Sequence, residues 1–150
     1  MAIEKPAQLA TNSRMRSNEG SVEEQLAALE AGALDLSAFP HAEHLRLGYE
    51  MLGRYSFGDA IARYSRGLKL LVAKAGKPEV YNETTTVAFL ALIGERRTRG
   101  EYATWSEFVT ANTDLLDKRC LERWYDPEQL ASELARRTFC LPLPPRSEGG

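Results

Sequence analysis

Between Val80 and Gly94 the chain carries one charged side chain, Glu83, and its apolar groups point in all directions around a helical axis. The eleven residues from Thr84 to Gly94 hold no charge at all, a stretch well short of the roughly twenty that cross a bilayer. A segment apolar on every side must be covered on every side, which places it as a helix in the middle of a bundle. The run Thr84-Thr85-Thr86 would suit a strand, but the length of the segment and its helical neighbours favour a helix, predicted over about Val80 to Arg97. Glu95-Arg96-Arg97-Thr98-Arg99-Gly100 closes it, cations meeting the negative helix end.

The flanking segments supply the cover. Ser21-Val22-Glu23-Glu24 reads as a capping box, opening a short helix that buries Val22, Leu26 and Leu29 and ends near Gly32. Pro40 suits the first position of a second helix, about His41 to Tyr55, with Leu45, Gly48, Leu52 and Tyr55 on one face and Glu43, Arg46, Glu50 and Arg54 opposite. Ser56-Phe57-Gly58-Asp59 starts a third, striped by Phe57, Ala60, Ile61, Tyr64, Leu68 and Leu71 and stopped near Gly76-Lys77-Pro78. Thr104-Trp105-Ser106-Glu107 opens another, predicted to bury Trp105, Phe108, Val109 and Leu116 and to run on with a bend through Cys120, Leu121 and Trp124. Asp126-Pro127 begins the last, with Leu130 and Leu134 inward, and Leu141 and Leu143 of the proline-rich tail are expected against the bundle. The expectation is an all-α fold, an antiparallel bundle of about five or six helices in one domain over residues 21–145. A flexible N-terminal segment, residues 1–20, precedes it and a loose tail, residues 146–150, follows. No internal repeat of 20–50 residues is visible.

Composition limits the function classes. Across 150 residues the formal net charge is -2, so no broad positive field exists to draw in a nucleic acid or an anionic membrane. Two cysteines, Cys120 and Cys140, are too few for a disulfide scaffold and suit a reducing compartment. Residues 1–20 lack the apolar core of a signal peptide. These features predict a cytoplasmic protein with neither nucleic acid nor membrane as partner. Walker, G-x-S-x-G, G-x-G-x-x-G and C-x-x-C motifs are all absent.

The chemistry-bearing residues are few. The chain has two histidines, His41 and His44, three apart and therefore on one helical face, within reach of a common atom. Gly48, one turn on, is expected to leave open space beside them. Glu83 is isolated on the most apolar helix, where a carboxylate must find a partner or lose its charge. Were the two helices to pack together, two imidazoles and one carboxylate would form the ligand set of non-haem iron sites and some zinc hydrolases. Tyr49, Tyr81 and Thr84 would then supply supporting hydrogen bonds. Three readings stand side by side: a structural one, in which Glu83 complements its helix dipole and the histidines satisfy local groups; a divalent metal site; and metal-free acid–base chemistry. Cys120 lies beside Lys118 and Arg119, which would lower a thiol pKa, although a buried packing cysteine is the simpler reading.

Four short stretches carry a resemblance: Phe39-Pro40-His41-Ala42-Glu43-His44, Tyr81-Asn82-Glu83-Thr84, Trp124-Tyr125, and Ala135-Arg136-Arg137-Thr138-Phe139. In these, over about residues 36–145, the chain resembles a family of small uncharacterised bacterial all-helical proteins. Their pattern is an H-x-x-H helix, a Tyr-His-Glu-Thr segment, an aromatic pair and an Ala-Arg-x-x-Phe motif. The resemblance implies no reaction, but it implies that His41, His44 and Glu83 belong together. Asn82 stands where the family has a third histidine; were that histidine a ligand, this chain would bind metal weakly, bind a different metal, or bind none. The functional expectation is a polar pocket at His41, His44, Tyr81, Asn82, Glu83 and Thr84, with Tyr49 behind it, binding iron or zinc or moving protons for a small-molecule ligand. The alternative is a non-catalytic domain that binds a protein partner through an exposed helix face or the proline-rich tail.

Overall fold

A computed structural model describes residues 18–144. Among these the fold is all-helical, as expected, with no strand. Among the described residues, seven α-helices run α1 (Val22–Glu30), α2 (His41–Arg54), α3 (Phe57–Lys74), α4 (Glu83–Arg99), α5 (Trp105–Ala111), α6 (Pro127–Leu130) and α7 (Glu133–Arg137). Short 3-10 turns at Leu36–Ala38, Pro78–Val80, Thr113–Leu116 and Lys118–Arg123 join them. No helix among the described residues is long and apolar enough to cross a membrane. Most of the flexible lead-in expected over residues 1–20, and the tail at 146–150, lie outside the described residues. Residues 18–20 are held: Asn18 Nδ2 donates to the Asp35 carbonyl at 3.0 Å, and Gln25 Nε2 donates to the Gly20 carbonyl at 2.8 Å.

Local chemistry explains where the helices begin. The Ser21 hydroxyl accepts from the Glu24 amide while the Glu24 carboxylate accepts from the Ser21 amide, so two amides that lack helical partners are satisfied reciprocally. Ser56, Thr104 and Ser132 each cap a helix through the amide three residues on. Gly32, at φ 65°, takes the left-handed turn that ends α1.

The apolar segment becomes α4, and no residue from Tyr81 to Gly94 is exposed. It touches α2, α3, α7 and the Lys118–Arg123 turn. Its sides serve three apolar clusters. Leu90 packs with Leu47, Met51, Tyr64 and Leu68; Ile93 with Leu45, Tyr49, Phe108 and Leu115; Ala88 with Leu121 and Tyr125. At 3.6 residues per turn, Ala88 projects about 140–160° away from Leu90 and Ile93, so the helix shows no single apolar face. Its start lies three residues later than Val80, because Asn82 leaves helical geometry and caps α4, its Oδ1 accepting from the Thr85 amide at 3.0 Å.

Several expected burials move by one position. Helix α5 ends at Asn112, whose backbone turns to φ -135°, ψ 48°, and whose side-chain Nδ2 donates to the Phe108 carbonyl at 2.9 Å. The phase therefore resets, burying Leu115 and leaving Leu116 exposed. The predicted last helix is split at Ser132, which restarts it as α7; Ala135 turns inward and Leu134 is 66% exposed. Trp124, Leu141 and Leu143, expected against the bundle, and Phe57, expected in the apolar stripe of α3, are exposed. Gly48 does not leave open space: a Cβ there would stand 2.7 Å from Leu90 Cδ2, so this glycine lets α2 and α4 pack closely.

Candidate functional site

Both histidines sit in the first turns of α2 and line one cavity of about 240 Å³. Its other walls are Tyr64 and Leu68 of α3, Thr85, Thr86, Phe89 and Leu90 of α4, and Lys118. The Tyr64 hydroxyl, itself buried, donates to the His44 carbonyl at 2.9 Å and pins α2 to α3 at this level. Burial pushes the Tyr64 phenol well above its usual range, so it stays protonated.

His41 Nε2 lies 2.9 Å from the Leu115 carbonyl. A carbonyl only accepts, so Nε2 carries the proton and Nδ1 of the neutral ring is left as an acceptor. The same ring meets Phe89 edge-on, centroids 4.9 Å apart. His44 packs on the Phe39 ring at 4.1 Å. Burial pushes the His44 pKa down to about 4, and the neighbouring His41 and Lys118 charges push the same way, against a backbone contact with Phe39. His41 is shifted down as well, chiefly by burial and partly by Lys118, with the Leu115 carbonyl and Asp117 opposing. At neutral pH both rings are uncharged.

The structure does not bring Glu83 to the imidazoles. Its Oε1 accepts from the Tyr81 hydroxyl at 2.6 Å and stands 3.7 Å from Lys69 Nζ. Glu83 is the first residue of α4, and at about 100° per residue it points roughly a quarter-turn away from the face that Thr85, Thr86, Phe89 and Leu90 present to the cavity. Among the described residues, no group of three or more His, Cys, Asp or Glu side chains is placed to hold a metal ion. Two imidazoles, without the third protein ligand that iron and zinc sites use, are a poor fit to either metal.

The other residues singled out by sequence do structural work. Thr84, fully buried, donates from its hydroxyl to the Thr138 carbonyl at 2.9 Å and accepts from the Cys140 amide at 3.0 Å. Asn82 Nδ2 donates to the Leu130 carbonyl at 2.7 Å. Arg136 donates to the Glu79 carbonyl. The Tyr81-Asn82-Glu83-Thr84 segment thus binds the C-terminal α6–α7 strap. Tyr49 lies elsewhere, between Trp105, Phe108 and the Arg97 guanidinium. Cys120 is buried beside Asp114, and burial, with that carboxylate, raises its thiol pKa rather than lowering it.

Sequence reasoning missed Thr85, Thr86, Phe89 and Lys118 as cavity residues. The signal for the first three was present: with Leu90 they share one side of α4 at helical spacing. Nothing local marked Lys118. Fold and cavity together define a small all-helical protein with an imidazole-lined cavity. No family model, curated protein or solved structure matches the chain.

Proposed function

We propose that the chain binds a small molecule in the His41–His44 cavity and that the imidazoles exchange protons with it. One observation carries this reading: the only two histidines of the chain line the same cavity, both held uncharged by burial. The volume falls just under the roughly 300–1,000 Å³ of pockets that hold drug-sized ligands, which fits a molecule of metabolite size. An uncharged imidazole accepts a proton and an imidazolium returns it. Iron or zinc is not part of the proposal, since Glu83 is engaged by Tyr81 and Lys69.

The test is a ring-resonance titration by NMR of protein bearing no histidine tag, with a library of metabolite-sized compounds added. Saturable perturbation of the His41 and His44 rings supports the reading, together with loss of that response in Leu90→Trp, which fills the cavity. Two ordinary histidines titrating near pH 6.5, untouched by every compound, would overturn it. Stoichiometric iron or zinc in the purified protein would restore the metal reading.

A second reading, a domain that docks on a protein partner, has its own observation. Trp124, Leu134, Phe139, Leu141 and Leu143 are all exposed near the C-terminal end of the described chain. Scattered exposed apolar groups are common on monomers, so the cavity is the stronger feature. Concentration-dependent self-association that is lost in Leu141→Ser would favour the docking reading.

A further inference from the structure

We infer that the ligand of this cavity is a small organic anion, a carboxylate on a short apolar body, with Lys118 as its counter-charge. The inference rests on the cavity reading above and names its ligand class. Among the described residues no carboxylate lines the cavity, and the one full charge is Lys118. Of the acids within four positions of Lys118, Asp117 and Asp114 are committed elsewhere, and Glu122 is exposed and forms no ion pair among the described residues. Asp117 accepts from the Arg119 amide at 2.9 Å and stands 3.5 Å from that residue's guanidinium. Asp114 is gripped through both oxygens by Arg96, at 2.7 and 2.9 Å, and by Arg123 at 3.1 Å. Lys118 forms no ion pair among the described residues. An exposed ammonium at the rim of a cavity whose other walls include Leu68, Leu90, Phe89 and the Tyr64 ring suits a ligand with one charged end and one apolar end.

The anion also completes the acid–base reading. The groups facing the rings are Lys118 and Asp117 from the 3-10 turn and Tyr64 from α3, while α4 contributes only Thr85, Thr86 and apolar side chains. Both threonine hydroxyls donate to the Asn82 carbonyl, so neither acts as a competing charge. A carboxylate seated here offsets Lys118 and favours the imidazolium form, moving the rings back toward neutral pH, where proton transfer is most effective.

The experiment compares three probes of one shape and different charge: benzoate, benzamide and benzylammonium. Affinity is read from the His41 and His44 ring resonances in wild type and Lys118→Gln, an exposed change that leaves the core intact. The expected result is benzoate binding at least about tenfold tighter than benzamide, with upward movement of the ring titration. Lys118→Gln should weaken benzoate about tenfold and leave benzamide unchanged, a difference of the size of one partly desolvated charge contact. Benzamide or benzylammonium binding as well as benzoate would overturn the anion inference and leave the cavity reading standing. Rings undisturbed by all three probes would count against both.

Discussion

Thr84→Val replaces a hydroxyl by a methyl of nearly the same shape at a position with no exposed surface. Packing is conserved, and the loss is confined to two hydrogen bonds, one to the Thr138 carbonyl and one from the Cys140 amide. At about 1 kcal/mol net for each bond, the cost is about 2 kcal/mol. Were the two backbone groups to stay dry and unpartnered, the cost would approach about 4 kcal/mol. The strap can avoid that larger cost, because Thr138 and Phe139 are already exposed and water can reach this backbone once it lifts. The expected outcome is thus a fall in Tm of about 5–8 °C, with release of the strap before global unfolding. Limited proteolysis reads the release: new cleavage should appear between Thr138 and Leu143 while the remainder stays resistant. A Tm within about 1 °C of wild type with an unchanged digestion pattern would refute the assignment of Thr84 as the anchor of the C-terminal strap. Thr84→Ser, which keeps both hydrogen bonds and loses a methyl, should show little of the proteolytic effect.

The remaining expectations concern protonation, close packing and the asparagine at the start of α4. His44 has a folded pKa of about 4 against about 6.5 unfolded, so the unfolded chain binds more protons between those values. Its contribution to stability is complete above about pH 6.5 and falls by about 3 kcal/mol as pH drops to about 4; urea melts across this window should flatten in His44→Gln. In Gly67→Ala, the new Cβ would stand 2.3 Å from the Leu29 carbonyl oxygen and 2.9 Å from its carbon, forcing α1 away from α3. The variant should lose at least about 2 kcal/mol in chemical denaturation despite the better helix propensity of alanine. Asn82→His adds a third imidazole but removes the cap of α4 and the bond to Leu130; it should cost about 1–2 kcal/mol and bind no stoichiometric iron or zinc by elemental analysis.

The helices were legible where capping chemistry is local. Ser21, Ser56 and Thr104 each name their own third amide, and periodicity finds the buried Leu26, Leu29, Leu45, Tyr64, Leu68 and Leu71, though it passes over Leu47 and Met51 of α2 and turns Phe57 of α3 inward. The C-terminal third was less so. Asn112 and Ser132 reset the helical phase by hydrogen bonds that a wheel drawn through them ignores, and the buried positions moved from Leu116 to Leu115 and from Leu134 to Ala135. For the candidate site, His41 and His44 line one cavity, while Tyr81, Asn82, Glu83 and Thr84, expected beside them, do not. The isolation of Glu83 suggested a long-range partner, yet Tyr81, two residues before it, and Lys69, one helix back, satisfy it. An acid at the edge of an apolar run is alone only in the sequence. Lys118 reaches the cavity through the 3-10 turn after Leu115, whose carbonyl binds His41 across 74 positions, a closure that no local pattern encodes.

Helix α4 joins the two regions that matter. Its first turn faces both ways: Thr85 and Thr86 line the imidazole cavity, while Thr84 and the Asn82 side chain hold the C-terminal strap. The Asn82 carbonyl accepts from both cavity threonines, and its side chain bonds Leu130, so one residue touches the hydrogen bonding of both sides. Strap and cavity are thus joined through the hydrogen bonding of this one turn. The need for one turn to serve two polar tasks inside an otherwise apolar helix accounts for the threonine run in a segment that packing alone would fill with leucine. It also accounts for the asparagine, whose side chain accepts at the helix start through Oδ1 and donates to the strap through Nδ2.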